Sequence, residues 1–92
     1  MIRSIRHPGL KAFYETGRKS GIQPKHSKRL RLQLAALETA QVINDMDIPG
    51  FKLHALKGKS KGRWSVWVNG NWRLTFEFRE GDVHLLDYED YH

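Results

Sequence analysis

The chain of 92 residues contains no cysteine and no long apolar segment. The first absence excludes a disulfide framework and a thiolate metal cluster, and it fits a reducing compartment or indifference to redox state. The longest uncharged run, Trp64 to Trp72, has nine residues, whereas a membrane helix needs roughly 18 or more. The first six residues lack the apolar stretch of a secretory signal, so we expect a cytoplasmic protein without membrane contact.

Several catalytic motifs are also missing from the sequence. It has no phosphate-binding glycine motif, no His-x-x-x-His pair, and no serine or cysteine nucleophile site. We therefore expect neither a cofactor nor a metal site. A chain of this length has interior for one core, so residues 1–92 are predicted to form one domain, and large multidomain enzymes are excluded.

Positive charge is in excess and is unevenly placed. Lysine and arginine number 16 against 10 acidic residues, which gives a net charge of +6. Residues 1–34 hold nine basic side chains and one acidic side chain, and residues 51–79 hold seven basic side chains and one acidic side chain. The last thirteen residues hold five acidic side chains and no basic one. Two basic blocks indicate a polyanion partner, usually RNA or DNA. The alternative is that the charge only keeps a small domain soluble.

Two helices are predicted in the N-terminal half. Pro8 suits the first position of a short helix with an apolar face, and Pro24 begins a longer helix that reaches about Asn44. Residues 46–50 are predicted to be a linker. The apolar stripe of the longer helix comprises Leu30, Leu34, Leu37, Ala40, Gln41 and Ile43. Its first turns carry cations that oppose the helix dipole, which hints at a role toward a partner, although a solvated face is the simpler explanation. These cations are Lys25, Lys28, Arg29 and Arg31.

Strands follow the helices, because the apolar period changes from about four residues to two. The alternation predicts four strands, at residues 51–55, 63–68, 72–78 and 83 to about 87. A mobile basic loop, residues 57–62, separates the first two. Helices followed by strands give an α+β fold class, with two N-terminal helices packed on one face of a small, curved, mainly antiparallel sheet.

The sequence also predicts the register of the central hairpin, whose turn is marked by Asn69-Gly70-Asn71. A two-residue loop would mix apolar with polar faces, so we favour a three-residue loop that keeps one clean core face. The core pairs are then Val68 with Trp72, Val66 with Leu74, and Trp64 with Phe76. The opposite face carries Trp67 beside Arg73, Ser65 beside Thr75, and Arg63 beside Glu77.

Polar side chains in the second half of the chain suit metal-free cleavage of RNA. In that reaction a base takes the ribose 2′-hydroxyl proton, an acid protonates the leaving 5′-oxygen, and cations stabilise the phosphorane-like transition state. Histidine, lysine, arginine and an aromatic ring can supply these functions. The candidates are His54, Lys57, Arg73, Asp90, Tyr91 and His92. Each also has an ordinary explanation as a strand residue, a solubilising charge, an ion-pair partner or part of a frayed terminus.

Three motifs occur together in the C-terminal half: LxxLxG at residues 53–58, VNxxWR at residues 68–73, and a terminal Asp90-Tyr91-His92. This combination resembles the HigB-type toxins of bacterial toxin–antitoxin modules, which belong to the RelE/ParE toxin superfamily. The resemblance covers nearly the whole chain, since residues 1–4 and 9–10 also match. It implies the RelE-like microbial RNase fold. It also implies cleavage of messenger RNA in the ribosomal A site, without metal, which stops translation and growth.

The resemblance assigns roles to individual residues. It implies that His54 and His92 are acid/base candidates, with the choice of base left open, and that Lys57 and Arg73 hold the scissile phosphate. Asp90 and Tyr91 belong to the C-terminal catalytic cluster, with Tyr91 as orienter or stacker. RNA contacts are expected from Lys59, Lys61, Arg63 and Trp67. Many members carry a further arginine where this chain has Trp67 or Asn69, and Arg63 or Lys61 could replace it.

The resemblance also implies partners. These are a HigA-like antitoxin with a helix-turn-helix DNA-binding domain, operator DNA reached only through that antitoxin, and the ribosome with its messenger and ribosomal RNA. Two other functions remain open on the sequence alone. One is a non-nucleolytic toxin of the same fold, such as a ParE-like gyrase inhibitor, and the other is a basic RNA- or DNA-binding module without chemistry.

Overall fold

The computed structural model describes residues 1–60 and 62–91. Two helices come first, α1 (Pro8–Thr16) and α2 (Ser27–Thr39). The strands that follow are β1 (His54–Ala55), β2 (Arg63–Asn69), β3 (Trp72–Arg79) and β4 (Asp82–Asp90). They form an antiparallel sheet in the order β1-β2-β3-β4, which confirms the predicted α+β class. Over the described ranges, neither helix is long and apolar enough to cross a membrane.

The core lies between the helices and one face of the sheet. Apolar side chains at helical spacing meet apolar side chains from alternate strand positions, and the largest of them are fully buried. Each such side chain stabilises the fold by about 1.5–3 kcal/mol through its removal from water. The buried set includes Leu10, Leu30 and Leu37 from the helices and Val66, Leu74, Phe76 and Leu86 from the strands.

The first residues of the chain extend the sheet beyond β4. Ile2 and Ile5 form parallel bridges with Val83 and Leu86. The Arg3 amide donates to the Val83 carbonyl at 2.8 Å, and the Leu86 amide donates to the Ser4 carbonyl at 3.0 Å. This segment satisfies backbone groups along an edge that would otherwise be open to pairing with another chain.

Helix α2 ends at Thr39, so the predicted end near Asn44 is wrong. The Asp45 carboxylate accepts the amides of Gln41 at 2.9 Å and Val42 at 3.2 Å, and these bonds compete with continued helix. They also lower the pKa of Asp45. A short 3₁₀ turn, Ile43–Met46, follows instead. Part of the predicted linker is therefore core, because Met46 is fully buried.

Strand β1 is shorter than predicted, at two residues rather than five. Phe51 is buried, and its carbonyl accepts the Trp67 amide at 2.7 Å, so the segment does reach the edge of β2. Lys52, however, has φ 51, a left-handed conformation that interrupts an extended strand. At the other end of the sheet, β4 extends to Asp90, past the predicted end near Asp87.

The predicted register of the central hairpin is confirmed over most of its length. Trp64 pairs with Phe76 and Val66 with Leu74, as expected. The turn differs, because Asn69 and not Val68 lies opposite Trp72. The turn therefore contains two residues, and the additional residue becomes a β-bulge at Val68. A bulge absorbs one residue and keeps the two faces in phase, which is why the two-residue turn does not mix apolar and polar sides.

The Trp67 carbonyl lies on the same side of β2 as the Trp67 amide, away from β3, and side chains of α2 donate hydrogen bonds to it. Arg29 Nη2 donates to this oxygen at 3.0 Å and to the Gly50 carbonyl at 2.7 Å. Gln33, which is fully buried, donates through Nε2 at 2.7 Å. The Arg29 guanidinium also lies 5.4 Å from the centre of the Phe51 ring. One of the cations that oppose the helix dipole thus holds the helix to the sheet.

Two glycines let the first turn of α1 touch the loop before α2. A Cβ atom added to Gly9 would lie 2.1 Å from the Gly21 carbonyl oxygen, far inside contact distance. We expect Gly9→Ala to lower the free energy of unfolding by about 1–3 kcal/mol, as overpacking does. Urea unfolding measures this, with the exposed Ser20→Ala as the control. Equal stability of both variants would show that the backbone contact is not tight.

A buried polar pair joins the start of α2 to β4. The Nδ1 atom of His26 lies 2.5 Å from the Tyr88 hydroxyl, and the Tyr88 ring stacks on Trp72 with ring centroids 4.4 Å apart. His26 is only 2% exposed. Burial lowers the pKa of His26, and the neighbouring Lys25 charge lowers it further.

This pKa shift predicts acid sensitivity. Because the folded pKa of His26 lies below the unfolded value of about 6.5, the unfolded state binds more protons and stability rises with pH. The contribution of the neutral His26 ring to the free energy of unfolding is complete above about pH 6.5, and it is lost as the pH falls through the folded pKa of His26. Urea unfolding between pH 7.5 and 5 is expected to show this slope, and His26→Gln is expected to flatten it. An unchanged slope in that variant would contradict the assignment.

Candidate active site

The face of the sheet turned away from the helices is called the open face. Its side chains come from alternate positions of β2, β3 and β4, because residues that pair across antiparallel strands point to the same side. One row across the sheet is Trp67, Arg73 and Glu89. The predicted placement of Trp67 beside Arg73 is confirmed.

A second row brings a histidine to the same face. His54 of β1 pairs with Ser65, Ser65 with Thr75, and Thr75 with Asp87. His54 is exposed at one end of this row, whereas Ser65 and Thr75 are buried. The sheet thus places His54 and Arg73 in adjacent rows of one surface.

Arg63 lies against the open face and is largely engaged within the sheet. Its Nη2 atom donates to Thr75 Oγ1 at 3.1 Å and to the Leu85 carbonyl at 3.0 Å, and its side chain is 14% exposed. The expected pairing with Glu77 is present, with Arg63 Nη1 and Glu77 Oε2 4.0 Å apart. The structure therefore gives Arg63 a role in holding β2, β3 and β4 together. Its predicted contact with RNA stays a prediction.

Arg73 is held beside the hairpin turn. Its Nη1 atom donates to the carbonyls of Gly70 at 3.0 Å and Trp72 at 3.1 Å. A guanidinium has five N–H donors in a planar fork, so two bonds through one nitrogen leave donors for a phosphate. The arrangement fixes the orientation of the charge on the open face.

Tyr91 follows the end of β4 and continues the alternation onto the open face. Its amide donates to the Asn71 carbonyl at 2.8 Å. Burial raises the pKa of the Tyr91 phenol, and the Glu89 carboxylate raises it further, while Arg63 and Arg73 act in the opposite direction. The phenol therefore keeps its proton at neutral pH and is a hydrogen-bond donor.

The carboxylates of this face were missed by sequence reasoning. Thr75 donates a short hydrogen bond to Glu89, beside Arg73, and Asp87 lies one row away. A signal was present, since Asp87, Glu89 and Tyr91 alternate along the chain. This signal was hidden because the pairing of β4 with β3 contains a register shift opposite Phe76, where Leu85 has a left-handed φ of 53. At this point the side chains of β4 exchange faces, so the residues on the open face cannot be counted from the start of the strand.

The structure separates Asp90 from Tyr91. Asp90 pairs with Trp72 and follows Tyr88 by two positions, which places it on the helix-facing side of the sheet. Its charge contributes to the raised pKa of Tyr88. The catalytic role predicted for Asp90 stays a prediction, and His92 lies outside the described residues.

The basic loop starts at the edge of the open face. The Leu56 amide donates to the Arg63 carbonyl at 2.9 Å, so Lys57 follows directly after a residue tied to β2. Lys57 and Lys59 are exposed, and Lys59 lies in a 3₁₀ turn, Gly58–Ser60. Lys61 is outside the part of the chain that the structure describes.

Trp67 occupies the corner between the open face and α2. Lys52 Nζ lies 4.3 Å from the centre of its ring, and the Arg29 guanidinium carbon lies 5.3 Å away. The indole Nε1 donates to the Gly70 carbonyl at 2.8 Å. Because cations already contact the ring, a stacked base would have to displace one of them.

Taken together, the open face combines a fixed guanidinium, an exposed imidazole and a protonated phenol beside a lysine-bearing loop. Such a set of proton donors, acceptors and cations suits chemistry at a phosphodiester.

The chain matches the family of HigB RelE-like toxins of type II toxin–antitoxin systems over residues 3–92.

Individual relatives agree with the family match. The chain is 45% identical over 92 residues to Endoribonuclease HigB of Proteus vulgaris, with both chains covered in full. It is 35% identical over 94 aligned positions to Toxin HigB-1 of Vibrio cholerae, with 100% of this chain and 98% of the relative covered. The chain belongs to the HigB-like toxin family, which confirms the resemblance seen in the sequence and implies a cognate antitoxin.

The electrostatics of Tyr91 can be tested directly. Because the Glu89 carboxylate disfavours the phenolate, we expect Glu89→Gln to lower the pKa of Tyr91. Titration of ¹³C-labelled tyrosines by NMR measures the change, and Tyr14 on the helical side is the internal control. An unaltered pKa of Tyr91 would mean that Glu89 does not face the phenol.

Proposed function

We propose that this toxin is an endoribonuclease that cuts messenger RNA in the A site of the 30S ribosomal subunit and thereby stops translation and growth. The observation that carries the proposal is the convergence of Arg73, His54 and Tyr91, from three separate strand regions, on one open face. The printed name of the Proteus vulgaris relative, Endoribonuclease HigB, supports the same activity.

The proposed reaction is a transfer within the RNA that needs no metal. A histidine, His54 or His92, takes the proton of the ribose 2′-hydroxyl, and the 2′-oxygen attacks the adjacent phosphorus. The bond to the 5′-oxygen breaks, and an acid returns a proton to that oxygen. The products are a 2′,3′-cyclic phosphate and a 5′-hydroxyl.

Cations and one phenol would hold the reacting phosphate. Arg73 offers a planar fork whose orientation is fixed by the hairpin turn, and the exposed Lys57 offers a compact point charge from the adjacent loop. Tyr91 keeps its proton, so it donates a hydrogen bond to a phosphate oxygen. Fixed donors stabilise the transition state without reorganising during the reaction.

The remaining partners are part of the same proposal. The antitoxin would be a HigA-like protein with a helix-turn-helix domain, through which alone the complex reaches operator DNA. The toxin would act in the cytoplasm, where ribosomal and messenger RNA are available. The net charge of +6 favours association with these polyanions.

Removal of one charge tests the activity. We expect Arg73→Ala to lower RNA cleavage about 100-fold, because a donor to the transition state is lost. Growth after induction and primer extension of cellular transcripts measure the effect, and circular dichroism checks the fold. Arg18→Ala, at an exposed site after α1, removes the same charge and is the control.

The outcomes separate the candidate functions. Codon-linked cuts that require active ribosomes and disappear in Arg73→Ala support the proposal. Equal toxicity of the two variants would refute the placement of the site. DNA damage without transcript cleavage would instead favour a gyrase inhibitor, and the absence of both would favour a binding module.

A further inference from the structure

A cavity of about 240 Å³ lies between the start of α2 and the bulged end of β2, at the edge of the sheet. Among the described residues that line the cavity, Trp67 alone also belongs to the row of Arg73 on the open face. The cavity is therefore adjacent to the proposed active site but separate from it. Two of the lining side chains are cations and none is acidic. The lining residues are Lys25, His26, Arg29, Trp67, Val68 and Asn69.

A buried histidine is part of this lining. His26 is 2% exposed, and its Nδ1 is taken by the Tyr88 hydroxyl. The same hydroxyl oxygen accepts the Gln23 amide at 3.4 Å. In the tautomer in which the Tyr88 hydroxyl donates to Nδ1, the proton of the neutral ring sits on Nε2, and this nitrogen is left to donate to a ligand in the cavity.

A second buried donor belongs to Arg29. Its Nη2 is committed to two carbonyls, while its Nε atom is buried and, among residues 1–60 and 62–91, has no hydrogen-bond partner. Buried donors of this kind are rare in folded proteins and call for an explanation such as a bound ion. An anion in the neighbouring cavity would supply negative charge beside the Lys25 and Arg29 side chains that line it.

The character of the lining selects among possible anions. The Trp67 ring is already contacted by Lys52 and Arg29, so a base could stack on it only by displacing one of these cations. The cavity offers hydrogen-bond donors and positive charge, which match a phosphate group. Its volume is below the roughly 300 Å³ of a typical small-molecule site, which also favours a single compact group.

We propose that this cavity binds a backbone phosphate of the RNA substrate, outside the bond that is cut, through Lys25, Nε2 of His26 and the Asn69 amide. The inference rests on the proposed function, because RNA is the source of the phosphate. A second anchored phosphate would fix the direction in which the strand crosses from the edge of α2 to Arg73.

Binding of a short oligonucleotide tests the site without cleavage. A 2′-O-methyl hexanucleotide lacks the attacking hydroxyl, and its affinity is measured by fluorescence anisotropy at several salt concentrations. Lys25→Gln is expected to weaken binding and to lower the slope of log affinity against log salt by about 0.7, the contribution of one single-strand phosphate contact. Lys19→Gln, at an exposed position outside the cavity, is the matched control and is expected to leave both values unchanged.

The imidazole of His26 gives a second measurement that needs no variant. The hexanucleotide is expected to shift the Nε2 resonance of His26 in ¹⁵N NMR at micromolar concentration, and inorganic phosphate to shift it only at far higher concentration. A shift with inorganic phosphate alone would overturn the assignment to RNA. No shift with either probe, or equal effects of Lys25→Gln and Lys19→Gln, would overturn the site itself.

Failure of this inference differs from failure of the proposed function. A wild-type protein that cuts no transcripts in cells refutes the endoribonuclease. A wild-type protein that cuts transcripts and binds the hexanucleotide, with Lys25→Gln indistinguishable from its control, refutes only the second phosphate site.

Discussion

The pairing of β2 with β3 is the constraint on which the rest of the structure depends. Its register assigns one set of alternate residues to the core and the other to the open face, and a slip of one position would exchange them. The bulge at Val68 keeps the faces in phase across a two-residue turn. Next to the bulge, the Trp67 carbonyl accepts hydrogen bonds from Arg29 and Gln33 of α2. The end of β2 thus borders the open face and also attaches the helix to the sheet.

Much of the fold could be predicted from the sequence, because periodicity reports burial directly. The helices, the hairpin register and the α+β class follow from it. The errors fall where a local contact overrides the pattern. Asp45 captures two amides and ends α2 early, and Lys52 adopts a left-handed conformation that interrupts β1. The end of a helix or strand at such a point depends on competition between backbone conformations of similar free energy, and amino-acid composition does not reveal which conformation is favoured.

The candidate site was predictable only in part. Alternation in β3 predicted that Arg73 lies on the open face, whereas His54 and Tyr91 were candidates for their side-chain chemistry and for their match to the family motifs. Glu89 escaped notice because β4 changes phase at Leu85, so its open face cannot be counted from its beginning. Charge was also a poor guide to role. Arg29 was one of four cations interpreted as a solvated face or a contact for a partner, yet both of its described hydrogen bonds hold the protein together.

The parallel pairing of Ile2 and Ile5 with β4 has a consequence for the order of folding. It joins segments about 80 positions apart, and contacts of such long range form slowly because a large loop must close first. The open face also needs β4, the last strand to be synthesised. A ribosome that makes this toxin has therefore synthesised all four strands before the open face exists.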